Sequence, residues 1–304
     1  MKKLLTTLLG LALSVTMMAC SVQEAKPTES KAKPAESQSE PVATNETPAS
    51  ADKPTAAATK DVSGVLTASG STSVQPLFEK LGEAFSVKYP AASVEVQGGG
   101  SSTGYKNVVA KVSEVGNLSR ELKDEEKANV TRHVIAIDGI AVVMHKDNSV
   151  KNLTKDDVIR IFCGEVNNWK DLGGEDMEIS VISREAGSGT RSAFEEILGI
   201  EDKVVATQEL NETGLVKSTV ASNPNAIGYI SLGSLDDSVQ AASLDGVAPS
   251  HDTILDGSYI LQRPFLSCNV GEVSPLFQAF LDFIQSPEGE KVITENGYFP
   301  VKHA

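Results

Sequence analysis

The sequence predicts an α/β fold, and three observations carry that prediction. Strand-like and helix-like stretches alternate through residues 61–304. A succession of strand, short Gly/Ser/Thr loop and amphipathic helix occurs three times. A near-continuous apolar run from His133 to Met144 reads as a buried strand or a pair of them.

Taken in order, residues 1–20 read as a targeting segment outside the fold. Lys2 and Lys3 form a positive end, Leu4 to Met18 a short apolar core, and Met17-Met18-Ala19-Cys20 closes it. The apolar run falls short of the ~20 residues that a spanning helix needs. The segment resembles a bacterial lipoprotein signal, which implies that Cys20 becomes the lipidated first residue. Met17 departs from the usual leucine of that box, and an ordinary secretory signal is the alternative. Residues 21–60 are rich in Pro, Ala, Ser, Thr, Glu and Lys, with almost no large apolar side chains. Such a stretch cannot bury enough surface to offset its ordering entropy, so it reads as a disordered tether.

Residues 61–304 are long enough for two domains of ordinary size. The first repeat of the pattern runs from Gly64–Ala68 through Gly70-Ser71-Thr72-Ser73 into a helix with Val74, Leu77, Phe78, Leu81 and Phe85 on one face. The second runs from Val94–Gln97 through Gly98-Gly99-Gly100-Ser101-Ser102-Thr103-Gly104 into a helix with Tyr105, Val108, Val109 and Val112. The third runs from Ile179–Ile182 through Ser183 to Arg191 into a helix with Phe194, Ile197 and Leu198. At a helix start the first backbone N–H groups lack intrahelical partners and the dipole is positive. Glycine allows close approach to a ligand, Ser188 and Thr190 add hydroxyl donors, and Arg184 adds a planar fork of fixed charge. One such loop is commonly a simple cap, but three predict helix N-termini aimed at one oxyanion.

Asp138-Gly139 interrupts the long apolar run, as a turn or as a carboxylate facing a ligand, since an unpaired carboxylate there is costly. A helix capped by Thr154 follows, with Asp156 and Asp157 in its first turn and Val158, Ile161 and Phe162 as its stripe. Trp169 reads as packing. A helix over 212–222 leads to a strand at Ile227–Ile230, Ser258–Leu266 is extended, and the closing helices carry Leu276, Phe280, Leu281, Ile284, Val292 and Ile293. Cys163 and Cys268 read as two free thiols rather than a disulfide.

The formal net charge of −14 repels anions and nucleic acid alike, which favours a closed, desolvated pocket over a surface patch and excludes a nucleic-acid partner. No Gly-x-x-x-x-Gly-Lys-Ser/Thr loop exists for a nucleotide, and no His/Cys/carboxylate cluster has metal spacing, so neither cofactor nor metal is expected. A serine hydrolase using Ser188 is the rival from another class. Gly187-Ser188-Gly189 lacks the outer spacing of a nucleophile elbow, and none of the four histidines has the context of a base. The expectation is therefore a binding protein and not an enzyme.

With the three loops, Asn117-Leu118-Ser119-Arg120 and Ile137-Asp138-Gly139-Ile140 in view, the chain resembles the extracytoplasmic phosphate-binding proteins of Pst-type ABC transporters, in their Gram-positive form. The resemblance covers essentially all of 61–304. It implies a two-lobed periplasmic-binding-protein (type II) fold with two crossing strands as hinge. Residues 61–138 plus 262–304 form the first lobe and 139–261 the second. It implies a monomer, lipid-anchored at Cys20 to the outer face of the cell membrane, that passes inorganic phosphate to transmembrane permease subunits. Thr72, Ser73 and Ser101 match the first-lobe contacts, and Arg184, Ser188, Gly189 and Thr190 the second-lobe contacts. Where the best-known members carry an aspartate that accepts the proton of phosphate and so excludes sulfate, this chain has Arg120. Arg120 facing the cleft adds attraction without reading a proton, and Asp138 is expected to supply the carboxylate instead. Arg191 either bonds the ligand or caps its helix. A binder of another tetrahedral oxyanion, such as sulfate, shares every one of these features.

Overall fold

The computed structural model describes residues 62–301; Cys20, the targeting segment and the tether over 21–60 lie outside the described residues. The chain begins with β1 (Gly64–Gly70), α1 (Gln75–Lys88), β2 (Ala92–Gln97), α2 (Ser101–Val109), β3 (Val115–Leu118) and a short α3 (Asp124–Lys127). It then enters the long β4 (Thr131–His145). Beyond lie β5 (Asn152–Leu153), α4 (Lys155–Phe162), β6 (Ser180–Arg184), α5 (Gly189–Leu198), β7 (Gln208–Leu210) and α6 (Thr213–Ser222). After β8 (Ala226–Ser231), β9 (Val239–Ala241), β10 (Ser243–Leu244) and α7 (His251–Leu255), the chain returns through β11 (Gln262–Asn269) and ends with α8 (Pro275–Ile284) and α9 (Pro287–Glu295).

Strand order in the main sheet is β2-β1-β3-β11-β4-β8-β6-β7, with β9 also on β4. The strand β4 joins its two halves. Residues 131–139 pair antiparallel with β11, and Ile140 to Met144 pair antiparallel with β8. Each half has its own core. In the first, Leu66, Leu81 and Phe265 surround a herringbone in which Phe78 and Phe85 each meet Phe280 edge-on at 5.1 Å. In the second, Phe162 and Val142 pack around Phe194, whose ring stacks on Tyr229 at 4.1 Å. Such aromatic pairs add about 0.5–1.5 kcal/mol beyond area burial. Trp169 is fully buried as packing, and its indole N–H donates to the Asn225 carbonyl at 3.0 Å.

Several local expectations hold. Thr154 caps α4, its hydroxyl accepting from the Asp157 N–H at 3.0 Å, and Val158, Ile161 and Phe162 are buried. Cys163 and Cys268 are free thiols. Others are corrected. The α2 helix stops at Val109, because Lys111 turns left-handed at φ 58°, so Val109 and Val112 stand exposed and of the expected stripe only Val108 is fully buried. The run around Asp138 is one strand of 15 residues with no turn at Asp138-Gly139. A charge is tolerated there because the antiparallel register places Arg263 of β11 directly opposite Asp138.

The parallel strands β1, β2 and β3 of one half and β6 and β7 of the other run in opposite senses, since β4 is parallel to the first set and antiparallel to the second, so both sets end where β4 passes between the halves. In open α/β sheets the crevice outside such carboxyl ends is where ligands bind.

Candidate anion site

At the end of β1, Gly70 takes φ 137° and the chain folds into Ser71-Thr72-Ser73. A Cβ on Gly70 would stand 2.2 Å from the Asn117 carbonyl oxygen, so only glycine lets the loops after β1 and β3 lie side by side. The consequence is a line of buried hydroxyls. Ser71 Oγ donates to Ser119 Oγ at 2.8 Å, Ser101 Oγ lies 3.4 Å from Ser119 Oγ, and the Ser119 N–H donates to Ser101 Oγ at 3.1 Å.

The other half of the sheet brings a second set against it. Ser73 Oγ lies 2.8 Å from Thr190 Oγ1 and 2.9 Å from Thr213 Oγ1. Ser188 is the N-cap of α5, its hydroxyl accepting from the Arg191 N–H at 3.3 Å. Gly189 faces Ser101 so closely that a Cβ there would sit 2.2 Å from Ser101 Oγ and 2.9 Å from Ser119 Oγ. Ser102 N–H donates to the Gly187 carbonyl at 3.1 Å, which ties the α2 and α5 N-termini together.

Arg184, at the end of β6, is 1% exposed and reaches across this junction. Its Nη1 donates to Thr213 Oγ1 at 3.1 Å, and its Nη2 to Thr72 Oγ1 at 3.0 Å and to the Asn211 carbonyl at 2.9 Å. Nε donates to the Leu210 carbonyl at 3.1 Å. Burial, with the charge of Arg263 adding to it, pushes the Arg184 pKa down to about 10. Every other arginine in the sequence has a carboxylate within salt-bridge distance: Arg120, Arg132, Arg160, Arg191 and Arg263. Arg184 has none among the described residues. A buried guanidinium with no counter-charge costs several kcal/mol, and an anion seated here would offset that cost. A cleft of about 520 Å³, lined by Thr72, Gln75, Glu79, Gly98, Glu212 and Thr213, leads to this point.

The structure thus gathers Thr72, Ser73, Ser101, Arg184, Ser188, Gly189 and Thr190 at one place. It does not bring Arg120 there. That guanidinium turns back onto Glu126 of α3 in a two-pronged pair at 2.7 and 2.8 Å, with the Glu121 carbonyl as a third acceptor. Burial of Glu126 is outweighed by the Arg120 and Lys123 donors, which hold its pKa below the usual carboxylate value. Arg120→Met is accordingly expected to leave anion affinity within about twofold while costing about 3–5 kcal/mol of stability, read by calorimetry and a thermal melt. Arg191 neither caps its helix with its side chain nor joins the hydroxyls. It bonds Glu195 and Glu209, each at 2.7 Å, and donates to the Arg184 carbonyl at 2.8 Å, which braces Arg184 from behind.

Asp138 is fully buried, and none of these hydroxyls bonds to it. Its Oδ1 accepts from Ser231 Oγ at 2.8 Å, and its Oδ2 from Arg263 Nη2 at 2.9 Å and Nε at 3.2 Å. Burial pushes this carboxyl up from its ordinary value, against the pull of Arg263 and Ser231. Arg263 Nη1 in turn donates to the Ser119 carbonyl at 3.1 Å. Three participants escape a sequence reading. Thr213 starts α6 after a three-residue strand without a glycine-rich loop, Arg263 precedes Pro264 in an extended stretch, and Ser71 looks like an ordinary turn residue.

Ser188 has no histidine among its hydrogen-bond partners. His133 bonds Asn269, while His145 and His251 bond aspartates or the adjoining backbone, and no cluster of metal-ligating side chains occurs among the described residues.

The family model for the PBP superfamily domain matches residues 37–288. The chain is 36% identical over 246 residues to the phosphate-binding protein PstS of Bacillus subtilis, covering 79% of this chain and 81% of that one. Among solved structures, it is similar to a Clostridium perfringens protein described as a candidate phosphate ABC transporter substrate-binding protein with bound phosphate. There the TM-score is 0.77 and the identity 45%, over 79% of this chain and all of that one. An ABC-type phosphate transport receptor from Vibrio cholerae aligns with TM-score 0.65 and 35% identity, over 78% of this chain and 100% of that one. With a two-lobed α/β body whose helix N-termini and unpaired arginine meet between the lobes, this chain belongs to the PBP superfamily and, within it, to the phosphate-binding PstS family.

Proposed function

We propose that this protein captures inorganic phosphate outside the cytoplasm and delivers it to the permease subunits of an ABC transporter. The observation that carries the reading is Arg184, the one arginine with no carboxylate partner among the described residues, buried among hydroxyls contributed by both lobes. Thr72, Ser73, Ser101, Ser188 and Thr190 are the hydroxyl donors, the N–H of Gly189 at the start of α5 adds a backbone donor, and Arg184 supplies the charge. In the ligand complex these hydroxyls turn from one another toward the anion. Hydrogen bonds to a charged partner contribute roughly 1.5–3 kcal/mol each, and micromolar affinity requires only about 8 kcal/mol. Because the donors sit on both lobes, capture proceeds by lobe closure about the crossing strands β4 and β11. The role is binding and not catalysis, since Ser188 has no base and its hydroxyl caps its own helix. The protein acts as a monomer held at the membrane by a lipid on Cys20. No described helix is long and apolar enough to cross a membrane.

The test is calorimetric titration of the ligand-stripped protein with phosphate, sulfate and molybdate. Phosphate is expected to bind at micromolar concentration or tighter, with sulfate and molybdate far weaker. Sulfate binding as tightly as phosphate would replace this reading with that of a general tetrahedral-oxyanion binder.

A further inference from the structure

After α9 the chain leaves through Gly297, left-handed at φ 78°. The Gly297 N–H donates to the Thr294 carbonyl and the Tyr298 N–H to the Ile293 carbonyl, each at 3.1 Å. This pair of bonds is a Schellman stop, and it aims the next residues at the crossing strands. Phe299 then pairs with Ile137 of β4: its N–H donates to the Ile137 carbonyl at 3.0 Å, and its carbonyl accepts from the Ile137 N–H at 2.8 Å. Ile137 stands just before the point where β4 changes partner from β11 to β8. Neighbouring residues of an extended segment point to opposite faces, and here the two faces belong to different halves. Tyr298 is buried in the first core, its ring 5.4 Å from that of Phe265. Phe299 is buried in the second, its ring 5.2 Å from that of His251 in α7. The hydroxyl end of the Tyr298 ring also covers Gly233, in the turn after β8. A Cβ on Gly233 would stand 2.3 Å from Cζ, 2.5 Å from Cε1 and 2.7 Å from Cε2 of that ring. The Tyr298 hydroxyl is buried without a hydrogen-bond partner among the described residues, so the ring makes the contact.

We infer that Tyr298 and Phe299 form a third crossing of the hinge, a strap that limits how far the lobes open and so helps to set the affinity for the anion. One peptide unit joins a ring fixed in the first core to a ring fixed in the second. Opening about β4 and β11 therefore has to draw Gly233 away from the Tyr298 ring or pull Phe299 from its core. Either movement exposes apolar surface to water, which opposes it. The apparent Kd of a binding protein rises in inverse proportion to the fraction of molecules in the binding-competent form. A strap that keeps the lobes near their closed arrangement raises that fraction. Neither residue bonds the hydroxyls around Arg184, so both are positioning residues. The inference takes its ligand from the phosphate reading above, but the restraint on opening belongs to the anion-free protein and stands or falls separately.

The experiment compares the wild-type protein with Gly233→Ala, Phe299→Ala and Tyr298→Phe. It reads small-angle scattering of the anion-free protein, phosphate affinity by calorimetry and release rates by stopped flow, with thermal melts as a folding control. Gly233→Ala displaces the Tyr298 ring, and Phe299→Ala empties the anchor in the second core. Each is expected to enlarge the radius of gyration of the anion-free protein and to weaken phosphate about tenfold, mainly through faster release. Tyr298→Phe keeps the ring and is expected to match the wild type in every readout. Variants that melt lower yet keep the wild-type radius and affinity overturn the inference, because the two rings would then be packing alone. Tyr298→Phe with effects as large as those of Gly233→Ala overturns it too, since the hydroxyl and not the ring would be responsible. Should Gly233→Ala and Phe299→Ala fail to fold, hydrogen exchange of the wild-type protein decides. Phosphate is expected to slow the Phe299 amide no more than it slows the amides of β1. A Phe299 amide that becomes more than about tenfold freer than those amides without phosphate contradicts the inference, because a segment released on opening restrains nothing. A wild-type protein that ignores phosphate refutes the phosphate reading, while the anion-free radii still test the strap.

Discussion

Arg184→Met is expected to weaken phosphate binding by about 10²- to 10⁴-fold, the largest effect of any single substitution in the site. The estimate follows from removing two hydrogen bonds to a charged partner at roughly 1.5–3 kcal/mol each. The same change removes a buried cation that lacks a carboxylate in the ligand-free protein, so the fold itself does not depend on it in the way it depends on Arg120 and Glu126. The diagnostic is the ligand-dependent part of stability. At phosphate a thousandfold above its Kd, the wild-type protein gains about 4 kcal/mol by mass action, and the variant gains almost none. Arg184→Lys restores only part of the affinity, because an ammonium keeps the charge but not the planar fork that spans Thr72 and Thr213. Thermal melts with and without phosphate, alongside calorimetry, check both statements. A variant that binds phosphate as the wild type does would remove Arg184 from the site.

Gly189→Ala is the second large expectation, and it tests closure rather than charge. The added methyl would stand 2.2 Å from Ser101 Oγ, 2.9 Å from Ser101 Cβ and 2.9 Å from Ser119 Oγ, all across the junction between the lobes. Overpacking of this kind costs about 1–3 kcal/mol, so phosphate should bind about 10- to 100-fold more weakly. Gly189 does not adopt positive φ, and it is the first residue of α5, where alanine is acceptable. The clash therefore exists only when the lobes meet, and ligand-free stability should be unchanged. Small-angle scattering at saturating phosphate should report a more open particle than the wild type. Equal affinity and equal shape would show that α2 and α5 need not approach for the ligand to be held.

What could be read from the residues, and what could not, divides along physical lines. The three strand–loop–helix units were legible because Gly, Ser and Thr in a loop between an apolar strand and an amphipathic helix make a local signal. The structure places them at one junction, with Ser73, Thr190 and Gly189 in direct contact across it. The Thr154 cap was legible for the same reason. Arg120 was misassigned because its direction depends on Glu126, which a four-residue helix carries back to it, and that is a matter of tertiary geometry. Thr213 carries little local signal, since Asn211-Glu212-Thr213-Gly214 resembles any polar connection. The partner of Asp138 depends on strand register across more than a hundred residues: only once β11 lies antiparallel to β4 does Arg263 stand opposite it. The cost of a carboxylate in an apolar run could be foreseen, but the residue that offsets it could not.

The acidic balance of the whole chain, −14, sits against this interior of unpaired positive charge. Exposed charges farther than a Debye length of about 8 Å are screened, so the local donors decide affinity while the outer carboxylates at Glu79 and Glu212 act mainly on the approach through the cleft.

The most direct measurement is a crystal structure of the wild-type protein with phosphate. The phosphate is expected between the lobes, bonded by the Arg184 guanidinium, by the hydroxyls of Thr72, Ser73, Ser101, Ser188 and Thr190, and by the Gly189 N–H, with Arg120 still on Glu126. Phosphate bound at the cleft mouth or on one lobe alone, with the Arg184 guanidinium making no bond to it, would contradict the account.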